Sequence, residues 1–386
     1  MNLSQIRRRF VMLTALRWLP TGLTVPALVL IGQARGLSLG QIGMTAAIYG
    51  ATTMAFELPT GGLSDVVGRR PVLVAAALMS VAAAIVTALG TSFAVLAAAA
   101  AIRGLARALD SGPLQSWYVD RSREISVDAP IRGGLSQAAA GESIALAIGT
   151  IGAGSVLTLT RLPASDAPLI ALSTPFLVAA VAALIQAGLV MAWVTEPRRS
   201  VALRLGEVAK AVPSTIAAGV RLAATHPMLR RLLMVIAAVG VALAGMELLM
   251  PAHLAEVLGS RRSAGATYAL LATLGFAGSA LGSAMAPLAT RVLRSPSRVA
   301  LVGSVGAACA LAAAGVSALA VIAVVYVAFY VLLGLGSPLL DELTHEAVTS
   351  RERATMLSVN SMALQLAGIG VGLTLGLLTS ATTPGG

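Results

Sequence analysis

The sequence predicts an all-α protein whose helices lie in a lipid bilayer, and three observations predict it. Hydrophobic residues make up 57% of the 386 and charged residues only 11%, against about 25% charged in soluble domains. Apolar runs are continuous over about twenty residues, as from Val72 to Gly90 and from Leu232 to Pro251. The basic residues gather in the short segments between such runs. A water-soluble fold of this composition would expose apolar patches far beyond the few hundred Å² that soluble monomers carry. In hydrocarbon each backbone amide needs an internal partner, so only helices and closed barrels span. The alternating ten-residue pattern of a barrel strand is not found in the sequence, which leaves helices. The formal charge of +11 is spread over loops rather than massed on one face, which argues against nucleic acid as partner and for a membrane orientation signal.

Windows of about 20 apolar residues place six spans in the first part of the chain, near 9–33, 41–64, 71–90, 92–118, 134–160 and 168–194. The first begins behind Arg7, Arg8 and Arg9 and is too long for a signal-peptide core. An Arg-containing polar stretch from Thr195 to Pro227 follows. Five more spans come after it, near 228–257, 263–290, 298–315, 317–340 and 353–379. With the N-terminus inside, twenty basic residues fall on the inner side and four on the outer, namely Arg35, Arg161, Arg261 and Arg262. That asymmetry orients the chain with a cytoplasmic N-terminus, as a multi-pass protein of a bacterial cytoplasmic membrane. The Arg261–Arg262 pair is the local violation. Three units result: a six-helix bundle over 1–194, a cytoplasmic linker over 195–227 and a second bundle over 228–386. A twelfth helix is expected to lie outside this chain, because five helices leave faces of the second bundle uncovered. The single Cys309 excludes an internal disulfide, and His226, His253 and His345 lack metal-ligand spacing. No metal or cofactor is expected.

One loop carries a specific pattern. At the inner end of the second span stands Gly61-Gly-Leu-Ser-Asp65-Val-Val-Gly68-Arg69-Arg70. It resembles the signature loop of the major facilitator superfamily, with Val66 where the family usually has a basic residue. Gly61 admits a close neighbouring helix, Asp65 can face a helix N-terminus or a guanidinium, and Gly68 permits a turn into the third span. Arg103 with Gly104 and Gly112 resembles the family's intramembrane arginine motif. Gly149-Thr-Ile-Gly152-Ala-Gly154 resembles its glycine-rich antiporter motif without the Gly-Pro core. Leu288 to Arg294 is a degenerate copy of the signature loop, with Thr290 in place of the aspartate. Long inner loops follow both the fourth and the tenth spans, which fits two parallel repeats. The resemblance implies the major facilitator fold and a cavity between two pseudo-symmetric bundles, lined by spans one, four, seven and ten. It also implies transport by rocking of the bundles. In that picture Gly61, Asp65, Gly68, Arg69 and Arg70 latch the inner side, with Asp120 as partner of Arg69.

Ionisable groups inside spans cost about 2.5–3.5 kcal/mol each on insertion scales and are functional candidates for that reason. They are Arg17, Glu57, Arg103, Arg107, Asp110, Glu142 and Glu247. At 1.5 Å per residue Arg17, Glu57, Asp110 and Glu142 fall near one plane in the inner half of the bilayer. Arg103, Arg107 and Asp110 share a helix face. Asp110, Glu57 or Glu142 is the candidate carrier of a coupling proton, and Glu247 the candidate for substrate or proton. The competing reading makes Arg17–Glu57 and Arg107–Asp110 structural pairs that fix helix register. Trp117, Tyr118 and Trp193 read as an interfacial aromatic belt.

The function these features suit is proton-driven export of small amphipathic or drug-like compounds by a monomer, powered by the proton gradient. Proton-coupled import of a small nutrient or organic anion is the alternative, since the mid-depth arginines suit an anion. A non-transporting scaffold on the same fold is the third reading. The chain holds no Gly-x-x-x-x-Gly-Lys-Ser/Thr segment and no nucleophile–base constellation, so ATP drive and enzymatic chemistry are not expected.

Overall fold

The computed structural model describes residues 2–126, 132–163, 167–196, 221, 225–315, 318–346 and 353–382, without the side chains of 58–62, 65–66, 132–133, 136, 341, 345–346, 353–355, 357–358 and 376–382. The helices are α1 (Leu3–Ala34), α2 (Leu39–Val67), α3 (Arg69–Leu89), α4 (Phe93–Asp110), α5 (Pro113–Ile125), α6 (Arg132–Leu159) and α7 (Thr174–Trp193). After them come α8 (Pro227–Leu258), α9 (Arg261–Leu293), α10 (Pro296–Ala312), α11 (Leu319–Glu346) and α12 (Arg353–Thr382). Among the described residues, eight helical stretches are long and apolar enough to cross a membrane, in α1, α3 and α6 to α11. The protein is therefore a multi-pass, all-α membrane protein. Polar side chains start the helices: Asn2 with Gln5 and Ser38 with Gln41 form capping boxes, and Ser92, Ser260 and Ser295 accept from backbone N–H groups, satisfying donors that the first turn leaves open.

Two sequence expectations are corrected here. The fourth span is not one helix: it breaks at Ser111–Gly112, where Gly112 has φ +115° and Pro113 opens α5. The Gly-Pro dipeptide is the sequence signal for the break, since glycine reaches the positive φ and proline lacks the N–H that would continue the helix; the apolar window ran past it because Leu114, Trp117 and Tyr118 lie just beyond. Trp117 and Tyr118 do not form an interfacial belt. Both are buried; Trp117 Nε1 donates to Thr195 O at 3.1 Å, and Tyr118 stacks on Phe10 with centroids 4.3 Å apart.

Packing divides the helices into two halves of like design. In the first, α1 packs on α6, α2 on α4 and α3 on α4; in the second, α8 packs on α12, α9 on α11 and α10 on α11. The first half also has α7 against α1 and α3. Among the described residues no helix takes the matching place on α8 and α10. Bare backbone makes the closest approaches possible: a Cβ on Gly22 of α1 would meet Leu146 O of α6 at 2.6 Å. Two seams join the halves, α2 with α12 and α6 with α9.

The chain ends of the halves define two faces. One carries Arg7 to Arg9, Arg69, Arg70, Arg230 and Arg231 and is called the basic face; the far face carries Arg35, Arg261 and Arg262. Towards the far face one apolar core crosses between the halves, joining Ala27, Leu30, Leu157 and Phe176 to Met246, Leu254, Tyr268 and Tyr326. Towards the basic face the cores separate. Ile6, Phe10, Trp117 and Val190 pack within the first half, and Leu229, Val299, Leu339 and Met356 within the second. The α6–α9 seam shows the parting. On α9 the row Arg262, Ala266, Ala269 and Thr273 meets α6, where Thr150 and Thr273 share a hydroxyl bond of 2.6 Å. At the same helical spacing the row continues as Ala277, Ala280, Ala284 and Pro287, all exposed. The opposite row on α6 runs from buried Leu157 and Thr150 to exposed Ser143 and Ala139. Along this seam the halves pack together towards the far face and spread towards the basic face.

Candidate functional site

The parted halves bring most of the intramembrane charges of the first bundle together. Arg17 of α1 forms an ion pair through Nε with Asp110 Oδ2 at the end of α4; the two side chains are 17% and 13% exposed. Arg107, one turn earlier on α4, is the second charged neighbour of Asp110. Glu142 of α6 has the same two arginines as its charged neighbours. Trp18 lies between them, with the Arg17 and Arg107 guanidiniums 5.4 and 5.1 Å from its ring centroid, a cation–π arrangement. The cluster holds two guanidiniums and two carboxylates, so it is formally neutral. Asp110 Oδ1, Arg107 Nη1 and Trp18 Nε1 are buried without a hydrogen-bond partner among the described residues.

This pairing differs from the expected Arg17–Glu57 and Arg107–Asp110 pairs. Sequence gives the depth of a residue along its helix but not the direction in which the helix is turned. Glu57 is turned across the α2–α12 seam, where Gln365 Nε2 donates to it at 3.1 Å and Ser361 Oγ lies 3.3 Å away. Arg103 is apart from the cluster as well: its guanidinium sits 4.6 Å from the Tyr49 ring centroid. Among the described residues no carboxylate pairs with it.

Glu247 lies in the second half. On α8 the exposed residues Arg231, Met234, Ala238, Val241 and Leu249 follow one stripe, and Glu247 is exposed on the opposite side of the helix. It therefore faces the space between the halves rather than lipid. Its electrostatic neighbours are Tyr268 of α9 and Tyr326 and Tyr330 of α11. The tyrosines form a continuous aromatic group, with Tyr268–Tyr326 and Tyr326–Tyr330 centroids 5.9 and 5.0 Å apart. The spacing Tyr326-x-x-Phe329-Tyr330 was the sequence signal for this group, since it puts three rings on one helix face.

The loop at the basic end of α2 forms a second site. Gly68 turns with φ +105°, a conformation that favours glycine. Arg69 Nη2 bonds Asp120 Oδ2 at 2.6 Å, joining α3 to α5. Glu196, just past α7, accepts from the backbone N–H groups of Arg69 at 2.8 Å and Arg70 at 3.2 Å. A carboxylate there answers the positive end of α3. Glu196 carries no sequence signal, because its partner is backbone. Both contacts stay within the first half, so Arg69–Asp120 does not bridge the halves. Gly61 and Asp65 lie outside the described side chains.

The family profile described as the Major Facilitator Superfamily matches residues 10–372. Inner membrane transport protein YajR of Escherichia coli (strain K12) is 37% identical over 79 residues, which are 20% of this chain and 17% of that protein. A bacterial homologue of the human lysosomal transporter Spinster, solved in an inward-facing and unoccupied conformation, superposes with a TM-score of 0.76 at 19% identity, covering 98% of this chain and 83% of that one. The nucleoside transporter NupG gives 0.72 at 12% identity over 99% and 96% of the two chains. A D-xylose-proton symporter gives 0.68 at 14% over 96% and 89%. At these identities the structural likeness speaks for the fold.

Proposed function

The chain belongs to the Major Facilitator Superfamily and is a membrane transporter, not an enzyme, and on that premise we propose that it exports small amphipathic compounds in exchange for protons. In this reading the basic face is cytoplasmic, as the excess of arginine on it favours. The parted basic side is then the inward opening, and rocking of the halves about the two seams gives access to either side in turn. The membrane potential supplies about 2.3 kcal/mol per charge per 100 mV, so no nucleotide is needed.

The observation that carries the reading is Asp110. One of its oxygens is paired with Arg17, and the other is buried without a donor among the described residues. It also stands at the C-terminal end of α4, where the helix dipole opposes an anion. A proton added at Oδ1 would release Arg17 towards Glu142 and alter how α1, α4 and α6 hold one another. Glu247, on the opposite wall beside the tyrosines, is the group we assign to the cargo. The import reading is favoured by Arg103, a guanidinium that no carboxylate pairs among the described residues, which suits an anionic nutrient.

Cells expressing the chain, its Asp110→Asn variant or its Glu247→Gln variant are challenged with unrelated lipophilic toxins. The proposal expects resistance to several of them from the unaltered chain and none from either variant at equal membrane abundance. A growth gain on one carbon source without resistance overturns export in favour of import. Full resistance from both variants overturns the assigned roles.

A further inference from the structure

Arg262 is placed against three ordinary preferences at once. It lies on the arginine-poor far face, in the first turn of α9 where a helix dipole disfavours a cation, and beside a second cation, Arg261. What it gains is across the seam. Its Nε donates to Leu157 O at 2.7 Å, and its Nη2 to Thr158 O at 3.0 Å and also to Thr160 O. Leu157 and Thr158 carry two of the last carbonyls of α6, groups a helix leaves without intrahelical donors, and Thr160 follows directly after its end. The guanidinium thus caps the negative end of a helix that belongs to the other half.

Arg35 provides the contrast. It too sits on the far face and binds carbonyls, Ala167 O and Pro168 O at 2.7 Å each. Its acceptors belong to its own half, so they travel with it when the halves rock. Every acceptor of Arg262 belongs to the other half, and none can be kept when the far side opens. Just behind it Gly265 lies against Leu157, and Gly154 of α6 lies against Ala269, so the guanidinium closes the end of a tightly packed seam.

We propose that Arg262 is the far-face clasp of the transporter: its bonds to the end of α6 hold the far side shut, and their rupture is a step of every opening to that side. The clasp explains why Arg262 stands on the wrong side of the membrane for orientation. It rests on the alternating-access reading, but its test needs no cargo.

The test uses purified protein in lipid nanodiscs, where both faces meet solvent. With Cys309→Ser as background, Ala269→Cys is the reporter. Ala269 is fully buried and lies across the seam against Gly154 of the first half. Reaction with a maleimide then reports the fraction of time the far side is open. Because bonds to a charged donor are worth about 1.5–3 kcal/mol, Arg262→Ala is expected to raise the labelling rate at least about tenfold. Arg262→Lys keeps the charge without the fork and is expected to fall between, which keeps the test informative should the alanine variant fail to fold. Arg35→Ala is expected to leave the rate unchanged. The clasp is overturned if the Arg262 variants label like the parent, or if Arg35→Ala accelerates labelling equally.

Discussion

Removing both members of the Arg17–Asp110 pair should cost no more than removing one. The cluster of Arg17, Arg107, Asp110 and Glu142 is formally neutral, so Arg17→Met or Asp110→Leu alone leaves one unbalanced charge between α1, α4 and α6. Fully buried pairs lose about 3–5 kcal/mol when one partner goes, and exposed pairs at most about 1 kcal/mol. With side chains only 17% and 13% exposed, each single change is expected to cost about 3 kcal/mol. The double variant keeps neutrality and comparable volume, so its cost should stay near that of one single change, a coupling of about 3 kcal/mol. Reversible denaturation in mixed micelles measures all four proteins. If the double variant loses the sum of the two singles within about 0.5 kcal/mol, the pair is not coupled and the cluster does not act as a unit.

Other predictions concern the packing around it. Glu196→Gln removes the charge at the start of α3 and should cost about 1 kcal/mol, more than Asp120→Asn, whose side chain is 54% exposed in its bond to Arg69; thermal stability in detergent ranks the two. Gly22→Ala puts a methyl group 2.6 Å from Leu146 O and should cost about 1–3 kcal/mol, whereas Gly188→Ala, which meets nothing within 4 Å, should be neutral or slightly stabilising by the same measurement. Glu57→Gln keeps the size that Ser361 and Gln365 of α12 surround and should leave folding intact. A transport phenotype from it would add the α2–α12 seam to the coupling machinery.

Much of this protein was legible in its sequence, and the limits have physical causes. Hydrocarbon allows so few backbone structures that composition and apolar runs suffice for the fold class, and the Gly61 to Arg70 pattern suffices for the family. Depth in the bilayer follows from counting residues, which is why Arg17, Asp110 and Glu142 could be placed at one level before any coordinates. Azimuth does not follow from counting. Glu57 shares that level yet turns to α12, and Arg103 shares a face with Arg107 yet rests on Tyr49. Contacts to backbone leave even less trace: Glu196 answers N–H groups and Arg262 answers carbonyls, and neither partner has a side-chain identity to read. For Arg262 there was still a signal, since it broke the charge asymmetry that the other loops obey. The break at Ser111–Gly112 was written in the Gly-Pro dipeptide, but Leu114, Trp117 and Tyr118 just beyond it carried the apolar window past it.

The claim beneath all of this is that two rigid halves pivot about the α2–α12 and α6–α9 seams. Spin labels in nanodiscs test it, with one pair across the far face at Arg161 and Glu256 and one across the basic face at Arg121 and Arg294. Two distance populations are expected at each face, with long far-face distances in proportion to short basic-face ones. A disulfide between Gly154→Cys and Ala269→Cys, whose β-carbons would lie 3.1 Å apart, should abolish the minor population at both faces. A single unchanging distance at either face, or movement at one face without the other, contradicts the pivot.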